Sequence, residues 1–122
     1  MYEVSIKKTF SAAHRISEIG GKCEALHGHN FRVEVSVAAE SLNGEGLLID
    51  FRILKQWTEE VLDQLDHKFL NELEYFKERN PTSEQIARYL YDRIDERARQ
   101  EKMHLSRVTV WESENSCATY SL

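Results

Sequence analysis

Residues 23–39 read CEALHGHNFRVEVSVAA, and the second half of that stretch decides the fold. Phe31, Val33, Val35, Val37 and Ala39 alternate with Arg32, Glu34, Ser36 and Ala38, the period of two that marks a strand with one face in a core. Side chains two residues apart share a strand face, so His27 and His29 join the odd, inward side if the strand runs back to them. Just ahead of them Cys23 adds a thiol.

The surrounding chain supplies partners for this strand. Upstream, residues 2–14 alternate on the even positions: Tyr2, Val4, Ile6, Phe10 and Ala12 form an apolar face that ends at His14. Gly20 and Gly21 mark the loop between the two strands. Downstream, Asn43, Gly44 and Gly46 signal a turn. Asp50 then caps a helix that carries Ile53, Leu54, Trp57, Val61 and Leu65 and stops near Asp66 and His67. Pro81, with Thr82 and Gln85 in capping-box spacing, opens a second helix whose buried stripe is Ala87, Leu90, Ile94 and Ala98. The charged run 92–102 reads as a solvated helix face. Residues 105–112 and 117–122 form a closing hairpin, with Cys117 a small buried thiol. The order strand, strand, helix, helix, strand, strand predicts an α+β fold, a four-stranded antiparallel sheet with two helices on one face.

At 122 residues, with 41% hydrophobic and 30% charged content and one Pro, the chain is composed for one folded domain, 1–122, without linker or repeat. The N-terminus lacks an apolar signal core, and no apolar run nears the ~20 residues of a membrane span. A soluble, cytoplasmic protein with no membrane partner is expected. Two Cys are too few for a disulfide framework and read as free thiols of a reducing compartment. A net charge of −5 speaks against nucleic acid as a partner and leaves room for a small anion in a local basic pocket.

Three inward imidazoles, His14, His27 and His29, match a three-His zinc site. Cys23 then has two chemical options: fourth ligand of a closed structural site, or unligated thiolate beside an open catalytic one. Asp66 and His67 read either as a helix terminus with a favourable imidazole or as a carboxylate that fixes an imidazole tautomer for proton transfer. Glu112 shares strand parity with Val108 and Val110. It either faces inward, where a carboxylate needs N–H donors, or faces water beyond a frayed strand end.

Together these segments resemble the 6-pyruvoyl-tetrahydropterin synthase family, and most closely its bacterial 6-carboxy-5,6,7,8-tetrahydropterin synthase branch of queuosine biosynthesis. The resemblance runs nearly end to end: FSAAH, CEALHGHNF, GLLIDF, LDHKFLN, NPTSEQIA and VTVWES. Three residues separate Cys23 from His27, the spacing of the carboxy branch; the pyruvoyl branch has more. The resemblance implies zinc held by His14, His27 and His29, Cys23 as general base, Asp66 and His67 completing a proton relay, and Glu112 gripping the pterin ring. It further implies a tunnelling fold whose sheets join into an oligomeric barrel, a homohexamer built as a dimer of trimers. Exposed sheet edges would find their partners there. The implied reaction is a zinc-dependent lyase conversion of 7,8-dihydroneopterin triphosphate to 6-carboxy-5,6,7,8-tetrahydropterin, acetaldehyde and triphosphate. Arg15 and Lys22 flank the site in sequence and could meet the triphosphate. The alternatives are the pyruvoyl outcome, without carbon–carbon cleavage, and a non-enzymatic zinc module closed by Cys23.

Overall fold

The computed structural model describes residues 1–17 and 25–122. Strands β1 (Tyr2–His14) and β2 (His27–Ala39) come first, then helix α1 (Phe51–Leu62) and the two-residue strand β3 (Lys68–Phe69). Two single 3-10 turns, Leu70–Glu72 and Glu74–Phe76, lead to helix α2 (Ser83–Gln100) and the strands β4 (Leu105–Trp111) and β5 (Cys117–Tyr120).

The inward residues of β1 and β2 do what their spacing predicts. Ile6, Phe10 and Ala12 pack with Phe31, Val33, Val35 and Val37, and Val108 and Val110 of β4 extend that surface. Leu54, Trp57 and Val61 of α1 and Ala87, Leu90, Ile94 and Ala98 of α2 cover it, so both helices bury their stripes on the same sheet face. Each fully buried Val, Leu, Ile or Phe side chain is worth about 1.5–3 kcal/mol over its exposed state. Both caps form: Asp50 Oδ1 accepts the Arg52 N–H at 2.8 Å, and Thr82 Oγ1 accepts the Gln85 N–H at 3.1 Å. The opposite sheet face is polar, and its side chains pair across strands, Ser5 with Ser36 at 2.7 Å and Thr109 with Thr119 at 2.8 Å.

Four readings need correction. The sheet has five strands in the order β3-β1-β2-β4-β5, and β3 runs parallel to β1, so the sheet is mixed rather than four-stranded and antiparallel. A two-residue strand carries no period, so the sequence could not announce it. Helix α1 ends at Leu62, a turn before Asp66, and its Ile53 is exposed. Cys117 is exposed, because its pairing with Trp111 sets it on the edge strand. Asp95, inside the charged run, is buried and accepts the Leu105 N–H at 2.8 Å, tying the end of α2 to the start of β4.

Candidate metal centre and active site

The antiparallel register of β1 and β2 builds the centre. His14 stands opposite His27 and Ala12 opposite His29, so three imidazoles meet at one end of the sheet on its helix-facing side. Phe31 supports them, its ring edge-on to His14 and His29 with centroids 5.5 Å away in each case. The imidazoles do not stack. His14 and His27 meet at 69°, His14 and His29 at 86°, and His27 and His29 at 87°, so their nitrogens aim at a common point.

His14 Nε2 lies 3.1 Å from His27 Nε2. Main-chain carbonyls accept from the far side of both rings: Pro81 oxygen lies 2.8 Å from His14 Nδ1, and Ala25 oxygen 2.8 Å from His27 Nδ1. A carbonyl can only accept, so each Nδ1 carries a proton, and in the neutral ring Nε2 is the lone-pair atom free to meet a metal. In the neutral rings two lone pairs at 3.1 Å would repel, and a metal ion between them removes that repulsion. That separation matches two ligands of one tetrahedral zinc, roughly 3.3 Å apart when each bond is near 2.0–2.1 Å.

Glu112, the first residue past β4, brings negative charge to the same point. Its Oε1 lies 2.9 Å from His29 Nε2, 3.2 Å from His14 Nε2 and 3.9 Å from His27 Nε2. One ligand atom from each of His14, His27, His29 and Glu112 falls within 4.8 Å of the others, so the four can hold a metal ion. The inward reading of Glu112 is therefore the one the structure has, and its carboxylate stands at the fourth corner of the His group.

Asp66 and His67 dock on β1 nearby. The Ser11 N–H donates to Asp66 Oδ1 at 2.9 Å, and the His67 N–H donates to the Ser11 carbonyl at 2.6 Å. This docking holds His67 at φ 59°, a left-handed backbone uncommon among residues other than glycine. Asp66 Oδ2 lies 3.1 Å from His67 Nδ1, and the His67 side chain is 82% exposed. The Ser11 N–H, helped by the His67 ring, holds the Asp66 carboxyl below its usual range. An open cleft of about 460 Å³ is lined by His29, Asn30, Ser11, His67 and Lys68, so one imidazole of the cluster and the His67 ring border the same space. Cys23 and Lys22 lie outside the described residues, and Arg15 is exposed. His104 stands apart from the cluster, beside Asp95.

Sequence reasoning missed the carbonyls of Ala25 and Pro81 and the Ser11 peptide, since main-chain groups leave no mark in residue type. By its residue type Pro81 signals only a helix start.

The sequence pattern of one family, 6-pyruvoyl tetrahydropterin synthase, matches residues 3–122. The chain belongs to that family. Among relatives, a 6-carboxy-5,6,7,8-tetrahydropterin synthase of Synechocystis sp. is 37% identical over 93 residues, which cover 72% of this chain and 70% of that one. A 6-pyruvoyl tetrahydrobiopterin synthase of Drosophila melanogaster is 35% identical over 102 residues, covering 72% of this chain and 61% of that one. In three dimensions, this family member superposes on Caenorhabditis elegans 6-pyruvoyl tetrahydropterin synthase with a TM-score of 0.79 at 26% identity, over 100% of this chain and 97% of that one. The mixed sheet with two helices on one face is thus the family's fold. Among the described residues, no helix is long and apolar enough to cross a membrane.

Proposed function

We propose that this protein is a zinc-dependent lyase that converts 7,8-dihydroneopterin triphosphate to 6-carboxy-5,6,7,8-tetrahydropterin, acetaldehyde and triphosphate, a step toward queuosine. The observation that carries the reading is the convergence of His14, His27 and His29 with two of their Nδ1 protons committed to carbonyls. Family membership and the relatives named 6-carboxytetrahydropterin synthases support the reaction class. The three-residue spacing of Cys23 and His27 supports the carboxy branch.

His14, His27 and His29 would hold the zinc, which when bound supplies Lewis acidity at the substrate's side-chain hydroxyls. Cys23 Sγ, as thiolate, takes a proton from the side chain of the substrate. His67, in the wall of the cleft, serves as the proton carrier. With its Nδ1 committed to Asp66, its Nε2 is the atom that exchanges protons, and the ionised Asp66 stabilises the imidazolium that results. Glu112 holds the pterin ring by accepting from its N–H groups, a charge-assisted bond. A positioned base contributes about 10²–10⁴ in rate.

The assembly expected is a homohexamer with a barrel of joined sheets. In its support, β3 pairs with β1 only at Ala12 and Ala13, so the β1 edge is open over most of its length among the described residues, and open edges need covering. The compartment expected is the cytoplasm.

Incubation with 7,8-dihydroneopterin triphosphate, with mass spectrometry of the pterin and an acetaldehyde assay, tests this reading. The carboxy product with acetaldehyde is expected. A pyruvoyl product without acetaldehyde would move the chain to the other branch, a reading the Drosophila relative favours. No turnover at full zinc occupancy would favour a non-enzymatic module.

A further inference from the structure

We infer that Asn80, assisted by Asn71, is a positioning residue of the metal centre: the two carboxamides replace a missing strand beside β1 and hold His14 in register with the Pro81 carbonyl. The inference rests on the reading of His14 as a metal ligand.

Strand β3 gives β1 ladder partners only at Ala12 and Ala13, so the ladder on that edge stops just before His14. Two side chains continue it. The Arg15 N–H donates to Asn71 Oδ1 at 2.8 Å while Asn71 Nδ2 donates to the Arg15 carbonyl at 2.8 Å. The Ser17 N–H donates to Asn80 Oδ1 at 2.9 Å while Asn80 Nδ2 donates to the Ser17 carbonyl at 2.9 Å. A primary carboxamide sets a donor beside an acceptor as a peptide does, so each Asn supplies both bonds of a strand neighbour. Arg15 and Ser17 are two apart, the spacing at which an extended chain offers its polar groups to one edge.

Asn80 also connects this edge to the centre. The next residue is Pro81, whose carbonyl accepts from His14 Nδ1, and after it comes Thr82, the cap of α2. The chain beyond His14 and the His14 ring are therefore gripped by consecutive residues at one helix start. His14 is 1% exposed, so no solvent stands ready to replace the Pro81 carbonyl as partner of its Nδ1. If the grip on Ser17 fails, the Asn80–Pro81 segment can shift against the end of β1 and His14 Nε2 loses its aim. Loss of an outer partner of a metal-ligating His typically costs 10–100-fold in affinity, and a group one bond further out belongs at the lower end, about tenfold.

A purely structural clamp would lower the melting temperature and leave metal affinity alone, so affinity is the readout. Metal-free wild type, Asn80→Ala, Asn80→Asp and Tyr91→Phe are each titrated with Zn(II) against a chromophoric chelator. Asp keeps the acceptor for the Ser17 N–H and loses the donor, so it holds the fold if Ala does not. Tyr91→Phe removes the bond to the Leu105 carbonyl at the other end of β4 and serves as a destabilised control. The expected result is affinity about tenfold weaker in Asn80→Ala, a smaller loss of the same sign in Asn80→Asp, and none in Tyr91→Phe. Wild-type affinity in a folded Asn80 variant, or an equal loss in Tyr91→Phe, would overturn the inference. A wild type that holds zinc no better than His14→Ala would instead overturn the reading of the site, and the inference with it.

Discussion

His14 Nε2 and His27 Nε2 face each other at 3.1 Å, each with its Nδ1 proton bound to a main-chain carbonyl. A metal ion between the two nitrogens would stabilise this arrangement, so metal binding and folding should be coupled. His29→Ala is expected to lose most of its zinc, because a three-ligand site rarely survives on two, and to melt no higher with added zinc than without it. Metal analysis after dialysis, alongside melting curves with and without zinc, checks this. Full occupancy in the variant would remove His29 from the ligand set.

Glu112 stands 2.9 Å from His29 Nε2, near enough to ligate and to receive a pterin. We assign it the second role. Glu112→Gln should keep zinc and bind a pterin analogue more weakly by about 1.5–3 kcal/mol, the usual worth of a hydrogen bond to a charged group. Calorimetric titration of the zinc-loaded variant measures it. Loss of zinc would make Glu112 a ligand instead.

Phe31 is fully buried, stacked on Phe10 with centroids 4.9 Å apart and edge-on to two of the three imidazoles. Phe31→Ala should destabilise the protein by about 3–5 kcal/mol, the range for deleting a buried aromatic ring. Urea unfolding gives the value. A loss below 1 kcal/mol would mean that the two strands do not share this core.

Asp66 supplies the pH dependence. The Ser11 N–H lowers its folded pKa, so its contribution to stability is present above the unfolded value, about 3.9, and fades as the pH falls through the lower folded one. Asp66→Asn should therefore melt below wild type at neutral pH, and the two curves should converge on acidification. Turnover at neutral pH should fall by about 10²-fold, as for loss of an acid–base partner. Melting temperatures that differ equally at every pH would contradict the Ser11 anchor.

Much of this was legible from residue spacing because strand parity is strict. Once residues 31–39 alternate, His27 and His29 must share a face with Phe31, and the even positions of β1 carry His14 to meet them. Helix caps were readable for a similar reason, since Asp50 and Thr82 act within three residues of themselves. Features that depend on distant or main-chain partners were not. β3 exists because a turn lays Lys68 and Phe69 beside β1, and Asp95 is buried because β4 begins with an N–H that needs an acceptor. The carbonyls of Ala25 and Pro81 and the carboxamides of Asn71 and Asn80 work through shape in three dimensions, and their residue types alone suggest loops.

Because Cys117 is exposed, alkylation alone does not separate it from Cys23. The direct measurement is zinc content and product formation in Cys23→Ala beside His27→Ala. Cys23→Ala is expected to keep about one zinc per chain and lose turnover by at least about 10²-fold, since proton transfer and not metal binding disappears, while His27→Ala loses both. Zinc lost from both variants would make Cys23 a ligand and contradict the catalytic account.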